Sequence, residues 1–122
     1  MQYAKSSVET MAGPDEWFTG AVYVDAVASP SGASHLSASS VHFTPGARTA
    51  WHTHPTGQTI YVTAGTGLAP RRGGPDAVLR HGARGCFAPA WEPRHGAPPT
   101  RSTRHLAATE RDAASRGIAP AP

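Results

Sequence analysis

Gly46-Ala47-Arg48-Thr49-Ala50-Trp51-His52-Thr53-His54-Pro55-Thr56-Gly57-Gln58-Thr59-Ile60-Tyr61-Val62-Thr63-Ala64-Gly65 is the stretch that decides how this chain folds. His52 and His54 stand at i and i+2. On a strand both imidazoles leave the same face, with their Cα atoms roughly 7 Å apart. Pro55-Thr56-Gly57 then supplies a turn, because proline presets the first corner and glycine accepts positive φ. The β-branched run Gln58-Thr59-Ile60-Tyr61-Val62-Thr63 predicts a returning strand. A tight turn there brings the Gln58 side chain back beside the two histidines. Two neutral imidazole nitrogens and an amide oxygen, with no thiolate, suit a divalent first-row metal such as Mn, Fe, Co, Ni or Zn.

Working outward, Phe18 to Val27 reads as a strand around Ala21-Val22-Tyr23-Val24. Leu36 to Phe43 reads as another, stopped by Thr44-Pro45-Gly46. Beyond Leu68 the apolar signal thins to Ala77-Val78-Leu79, Gly85-Cys86-Phe87 and His105-Leu106-Ala107, and eight of the 12 prolines fall there. A helix could form at most one turn, around Thr109 to Ser115. Cys86 reads as a small buried residue, and Trp17, Trp51 and Tyr61 read as barrel packing or pocket walls.

The composition agrees with short strands and many turns. In 122 residues there are 13 Gly and 12 Pro, while only 16% of residues are charged. That length fits one domain. A single cysteine excludes a disulfide framework, the N-terminal residues carry no secretory signal pattern, and no apolar run is long enough for a membrane helix. A cytoplasmic protein without a membrane partner is expected. The net charge of +3 comes with nine arginines beyond position 70 that are scattered singly, without a zinc-finger or phosphate-loop pattern. No specific nucleic-acid partner is therefore expected.

The pattern Gly46-x5-His52-x-His54-x3-Gln58-x6-Gly65 matches the first cupin motif, with Gln58 where Glu is more usual. Together with Phe43-Thr44-Pro45 before it, and with Asp15-Glu16-Trp17-Phe18-Thr19-Gly20 and His105-Leu106-Ala107 farther out, it closely resembles the small bacterial single-domain cupins. Among these are the manganese-dependent hydroxynitrile lyase-like proteins. The resemblance implies an all-β fold, the cupin double-stranded β-helix or jelly-roll barrel, over residues 14–110, with residues 1–13 as an arm and 111–122 as a flexible tail. It implies His52, His54 and Gln58 as metal ligands, manganese as the favoured ion, and His105 as the acid-base histidine near the metal. It also implies a small-molecule substrate, cyanohydrin cleavage as the activity, and a homo-oligomer.

The second cupin motif departs from the family. Where relatives carry His-Trp-His-Gly-Ala, this chain has Pro93-Arg94-His95-Gly96-Ala97, so the fourth ligand position holds a residue with no donor. His95, two residues on and on the same strand face, is the candidate to fill it. Gly82-Ala83 and Pro89-Ala90 replace the family's Gly-Asp and Pro-Gly pairs. Two readings follow: a metal-dependent lyase, or a binding or structural cupin without turnover.

Overall fold

Alternation of residues that face inward and outward builds the barrel from strands, and the glycines and prolines between them set where each strand stops. The computed structural model describes residues 9–50, 52–53, 56–69, 74–87, 95–110 and 119–120, with 52–53 and 119–120 through their backbone. Among the described residues there are eleven strands and no helix. They are β1 (Met11–Ala12), β2 (Phe18–Thr19), β3 (Val22–Ala28), β4 (Leu36–Phe43), β5 (Arg48–Thr49) and β6 (His52–Thr53), followed by β7 (Gln58–Ala69), β8 (Ala77–Arg80), β9 (Arg84–Phe87), β10 (Thr103–Glu110) and β11 (Ala119–Pro120).

The larger sheet runs β1-β3-β4-β10-β7, with β9 on the far edge of β7. All its ladders are antiparallel. β7 is shared between two sheets. Its first half pairs with β10 and β9, and its last four residues, Thr66 to Ala69, pair with β8. The change of direction falls at Gly65, whose φ of 75° is open to glycine at little cost. A β-carbon at Gly65 would also collide with the carbonyl oxygen of Ser102. β8 and β9 therefore behave as one strand along β7, interrupted at His81–Ala83, where Val62 N–H donates to the Ala83 carbonyl at 2.9 Å.

The second sheet is assembled through Gly96. Its backbone bridges Leu68 of β7 on one side and Arg48 of β5 on the other, and β5 in turn pairs with β2. A side chain has no room there, since a β-carbon on Gly96 would lie 2.6 Å from Arg48 Cα.

Two apolar clusters fill the interior. One gathers Val22, Val41, Phe43, Ala47 and Ala97 with Phe18 and Val24 packed on it; the other gathers Ile60, Ala69 and Phe87 with Leu79 and Ala107. Phe43 is fully buried, and burying a side chain of that size contributes about 2–3 kcal/mol. The second half of the chain, thin in apolar sequence, still supplies Phe87, Ala97 and the inward face of β10. Small residues suffice there because β4 and β7 flank β10 on both sides.

Several expectations are met closely and others are adjusted. The strand expected at Leu36 to Phe43 is β4. The strand expected across Phe18 to Val27 is two strands, because the chain turns between Thr19 and Val22. β7 continues six residues past Thr63, since Gly65 bends the strand without ending it. Thr109 and Glu110, expected at the start of a helical turn, close β10 instead, and 111–118 lie outside the described residues. Cys86 is exposed, not buried, because it sits on the outward row of β9 opposite Thr59.

Candidate functional site

Inward rows of β7 and β10 carry the first groups. On β10, Thr103 and His105 face the interior, with 2% and 3% of their surfaces exposed. Thr103 pairs with Phe43 and Gly65, and His105 with Val41 and Val62, which puts both side chains over the core. A bulge at Thr63 of β7 shifts the register between Arg104 and His105. The Thr63 hydroxyl spans that bulge by donating to the Arg104 carbonyl at 3.2 Å.

His95 enters from the second sheet. Its backbone is zipped to β5 by two bonds: His95 N–H donates to Thr49 Oγ1 at 3.1 Å, and Thr49 N–H to the His95 carbonyl at 2.9 Å. The Gly96 staple holds the next residue flat between β5 and β7. Alternation then sends His95 and Ala97 inward, and both are buried. The His95 ring stacks on Phe87 with centroids 6.0 Å apart and 14° between planes, and meets Phe43 edge-on at 5.9 Å. His105 lies against it at 4.9 Å and touches Phe43 at 5.2 Å. Two histidines ten residues apart in sequence thus meet in an aromatic-walled interior.

Burial decides their chemistry. Desolvation pushes the His105 pKa down from 6.5 to about 4, so the ring is neutral at neutral pH. Its Nε2 is shielded from solvent and has no hydrogen-bond partner among the described residues; the same holds for Thr103 Oγ1 and Gln58 Oε1. Polar atoms buried in this state are rare in folded proteins and mark places where a ligand is received.

Gln58 opens β7, on the same inward row as Ile60 and Val62. Across the ladder it faces Phe87 of β9, and it borders a cleft of about 350 Å³ together with Thr59, Cys86, Thr109 and Glu110. His52 is placed by its backbone in β6, paired with Pro120 of β11. The side chain of His52, the whole of His54, Trp51 and Pro93 lie outside the described residues. Among the described pairings β6 meets β11 and the start of β7 meets β9, so the turn at Thr56–Gly57 does not open a β6–β7 ladder. Tyr61, a candidate pocket wall, is 47% exposed and points outward with Leu106 beside it.

No group of three or more His, Cys, Asp or Glu side chains gathers among the described residues. The donors they do bring inside are the Gln58 amide oxygen and the imidazoles of His95 and His105. Neutral oxygen and nitrogen of this kind fit a borderline divalent ion, and two of these atoms, Gln58 Oε1 and His105 Nε2, are buried without a partner. Thr103 was not singled out by sequence reading; its position at i−2 of His105 on a strand is the signal that would have found it.

Comparison with known proteins agrees with this architecture. The chain is 48% identical over 99 residues to an (R)-mandelonitrile lyase of Granulicella tundricola, a match covering 81% of this chain and 76% of the relative. A cupin-like protein of Thermotoga maritima superposes with a TM-score of 0.77 at 35% identity, over 81% of this chain and 75% of that one. A cupin-2 domain of Rhodospirillum rubrum superposes over the whole chain and 80% of its own, with a TM-score of 0.78 at 16% identity, and so speaks for the fold alone. No protein-family profile matches the chain. From the barrel, its inward histidines and these relatives, the chain belongs to the cupins, as a small bacterial cupin similar to the hydroxynitrile lyase-like members.

Proposed function

We propose that this cupin is a metal-dependent lyase that cleaves cyanohydrins to an aldehyde or ketone and hydrogen cyanide. The observation that carries the reading is His105 Nε2, buried without a partner beside His95 in the barrel interior. The name of the Granulicella relative supplies the reaction class.

In this reading His52, His54 and Gln58 hold the ion, with His95 taking the ligand place that Pro93 leaves empty of donors. Manganese is the ion favoured by resemblance. A bound divalent metal supplies Lewis-acid stabilisation of negative charge on a substrate oxygen. The rest of the work falls to the chain. Phe43, Phe87, Ile60 and Val62 exclude water from the chamber. His105 Nε2 accepts the hydroxyl proton of the cyanohydrin. The carbon–oxygen double bond forms as the bond to the cyano carbon breaks, and the departing cyanide takes the proton back from the imidazolium.

The same reading makes the protein a cytoplasmic homo-oligomer. Tyr23, Tyr61 and Leu36, each 43–47% exposed on the outward face of the large sheet, are apolar surface for a second copy to cover.

A second reading, a binding cupin without turnover, is favoured by Pro93 and by the lack of a three-donor cluster among the described residues. Metal content per chain after purification without chelator, together with benzaldehyde release from (R)-mandelonitrile, separates the two. The lyase reading expects near one equivalent of a first-row metal, and turnover lost in His52→Ala, His54→Ala and His105→Ala. Metal without turnover leaves the binding reading. Full turnover in His54→Ala refutes the proposed ligand set.

A further inference from the structure

Thr103 is a residue that the reaction above does not use, and it is out of place in an apolar core. It is 2% exposed, its hydroxyl has no hydrogen-bond partner among the described residues, and valine would fill the same space without a polar atom. The hydroxyl lies over Gly67, where a β-carbon would approach it to 3.1 Å. His105 follows two residues later on the same inward row, and its Nε2 is likewise buried and unpartnered. Phe43 lies opposite Thr103 across the ladder and also touches the His105 ring, so both polar atoms stand over one aromatic floor.

We propose that Thr103 Oγ1 and His105 Nε2 together bind a single substrate oxygen. The proposal rests on the lyase reading for the identity of that oxygen. Two groups bridged by one oxygen stand at most about 6 Å apart, a span that inward side chains at i and i+2 of a strand cover. The pair suits both ends of the reaction. Before transfer, the cyanohydrin hydroxyl donates to Nε2 and accepts from the Thr103 hydroxyl. After transfer, Nε2–H and Thr103 both donate to the carbonyl oxygen of the product. Thr103 thereby stabilises the charge that develops on this oxygen between the two states.

The test combines crystallography with two variants, Thr103→Val and Thr103→Ser. A high-resolution crystal structure of the unliganded protein should show an ordered oxygen within hydrogen-bond distance of Thr103 Oγ1 and His105 Nε2. With (R)-mandelonitrile, Thr103→Val should lose roughly 100-fold in kcat/KM at unchanged metal content, while Thr103→Ser stays within about threefold of the wild type. Thr103→Val should also raise the urea midpoint, because it removes a polar group the fold leaves without a partner. A Thr103 hydroxyl found bonded to a backbone carbonyl, or full kcat/KM in Thr103→Val, overturns the proposal. A wild type inactive on (R)-mandelonitrile but with the bridging oxygen present sinks the lyase reading and upholds the oxygen site. An inactive wild type with no bridging oxygen sinks both.

Discussion

Acidifying the metal-free protein from about pH 7.5 to about pH 5 should destabilise it through His105 in a way that can be isolated. Burial holds the folded-state pKa near 4, against 6.5 for the ordinary imidazole. The unfolded chain takes up a proton as pH falls through 6.5, and the native protein does not follow until near pH 4. The contribution of neutral His105 is therefore complete above pH 6.5 and is lost progressively below it. One pKa unit is worth about 1.4 kcal/mol, so the loss reaches roughly 2 kcal/mol at pH 5 and roughly 3 kcal/mol below pH 4. Urea unfolding followed by tryptophan fluorescence, with chelator present, reads this as a midpoint lower by about 1–2 M at pH 5. His105→Gln, which cannot titrate, removes the effect while the other histidines go on contributing equally to both proteins. The drop in stability between the two pH values should be smaller in the variant by roughly 2 kcal/mol. Equal drops in both proteins would refute the claim that His105 is held neutral by burial.

Gly96→Ala should cost about 2–4 kcal/mol by parting β5 from β7, and should weaken metal binding because His95 hangs from the same staple; thermal unfolding and metal titration check the two effects separately. Pro93→His, which restores the family's donor, should tighten manganese binding by about tenfold or more, as read by calorimetric titration, and unchanged affinity would count against the proposed ligand set. The exposed Cys86 thiol, 3.7 Å from the Thr59 hydroxyl, should react stoichiometrically with a thiol reagent in the native state. A thiol that reacts only after unfolding contradicts its outward placement.

The fold was legible in the sequence where local pattern and tertiary role coincide. Leu36 to Phe43 is bounded by a Thr-Pro-Gly turn, and its strand limits follow from composition alone. β7 was underestimated because Gly65-Thr66-Gly67 reads as a turn, although here glycine serves to bend a continuing strand. His95 offered no local signal at all. It follows Pro93-Arg94, and its inward aim depends on bonds to Thr49, 46 residues earlier, which no window of sequence contains. The meeting of His95 and His105 was hidden for the same reason, since it requires both sheets to be assembled. Cys86 was misjudged because cysteine is usually buried, whereas the parity of its row, read against Phe87, decides its side of the sheet.

The position of β10 has a kinetic consequence. β4 and β7 are not paired to each other; β10, residues 103 to 110, lies between them and bonds to both. A ribosome delivers β4 and β7 well before that strand, and until it arrives each leaves an open edge able to pair with another chain. Barrels closed by such distant pairings fold slowly, in milliseconds to seconds. Insertion of β10 seals both edges and carries His105 and Thr103 into the interior in the same step. Nascent chains are thus at their most aggregation-prone immediately before the moment at which they acquire their chemistry.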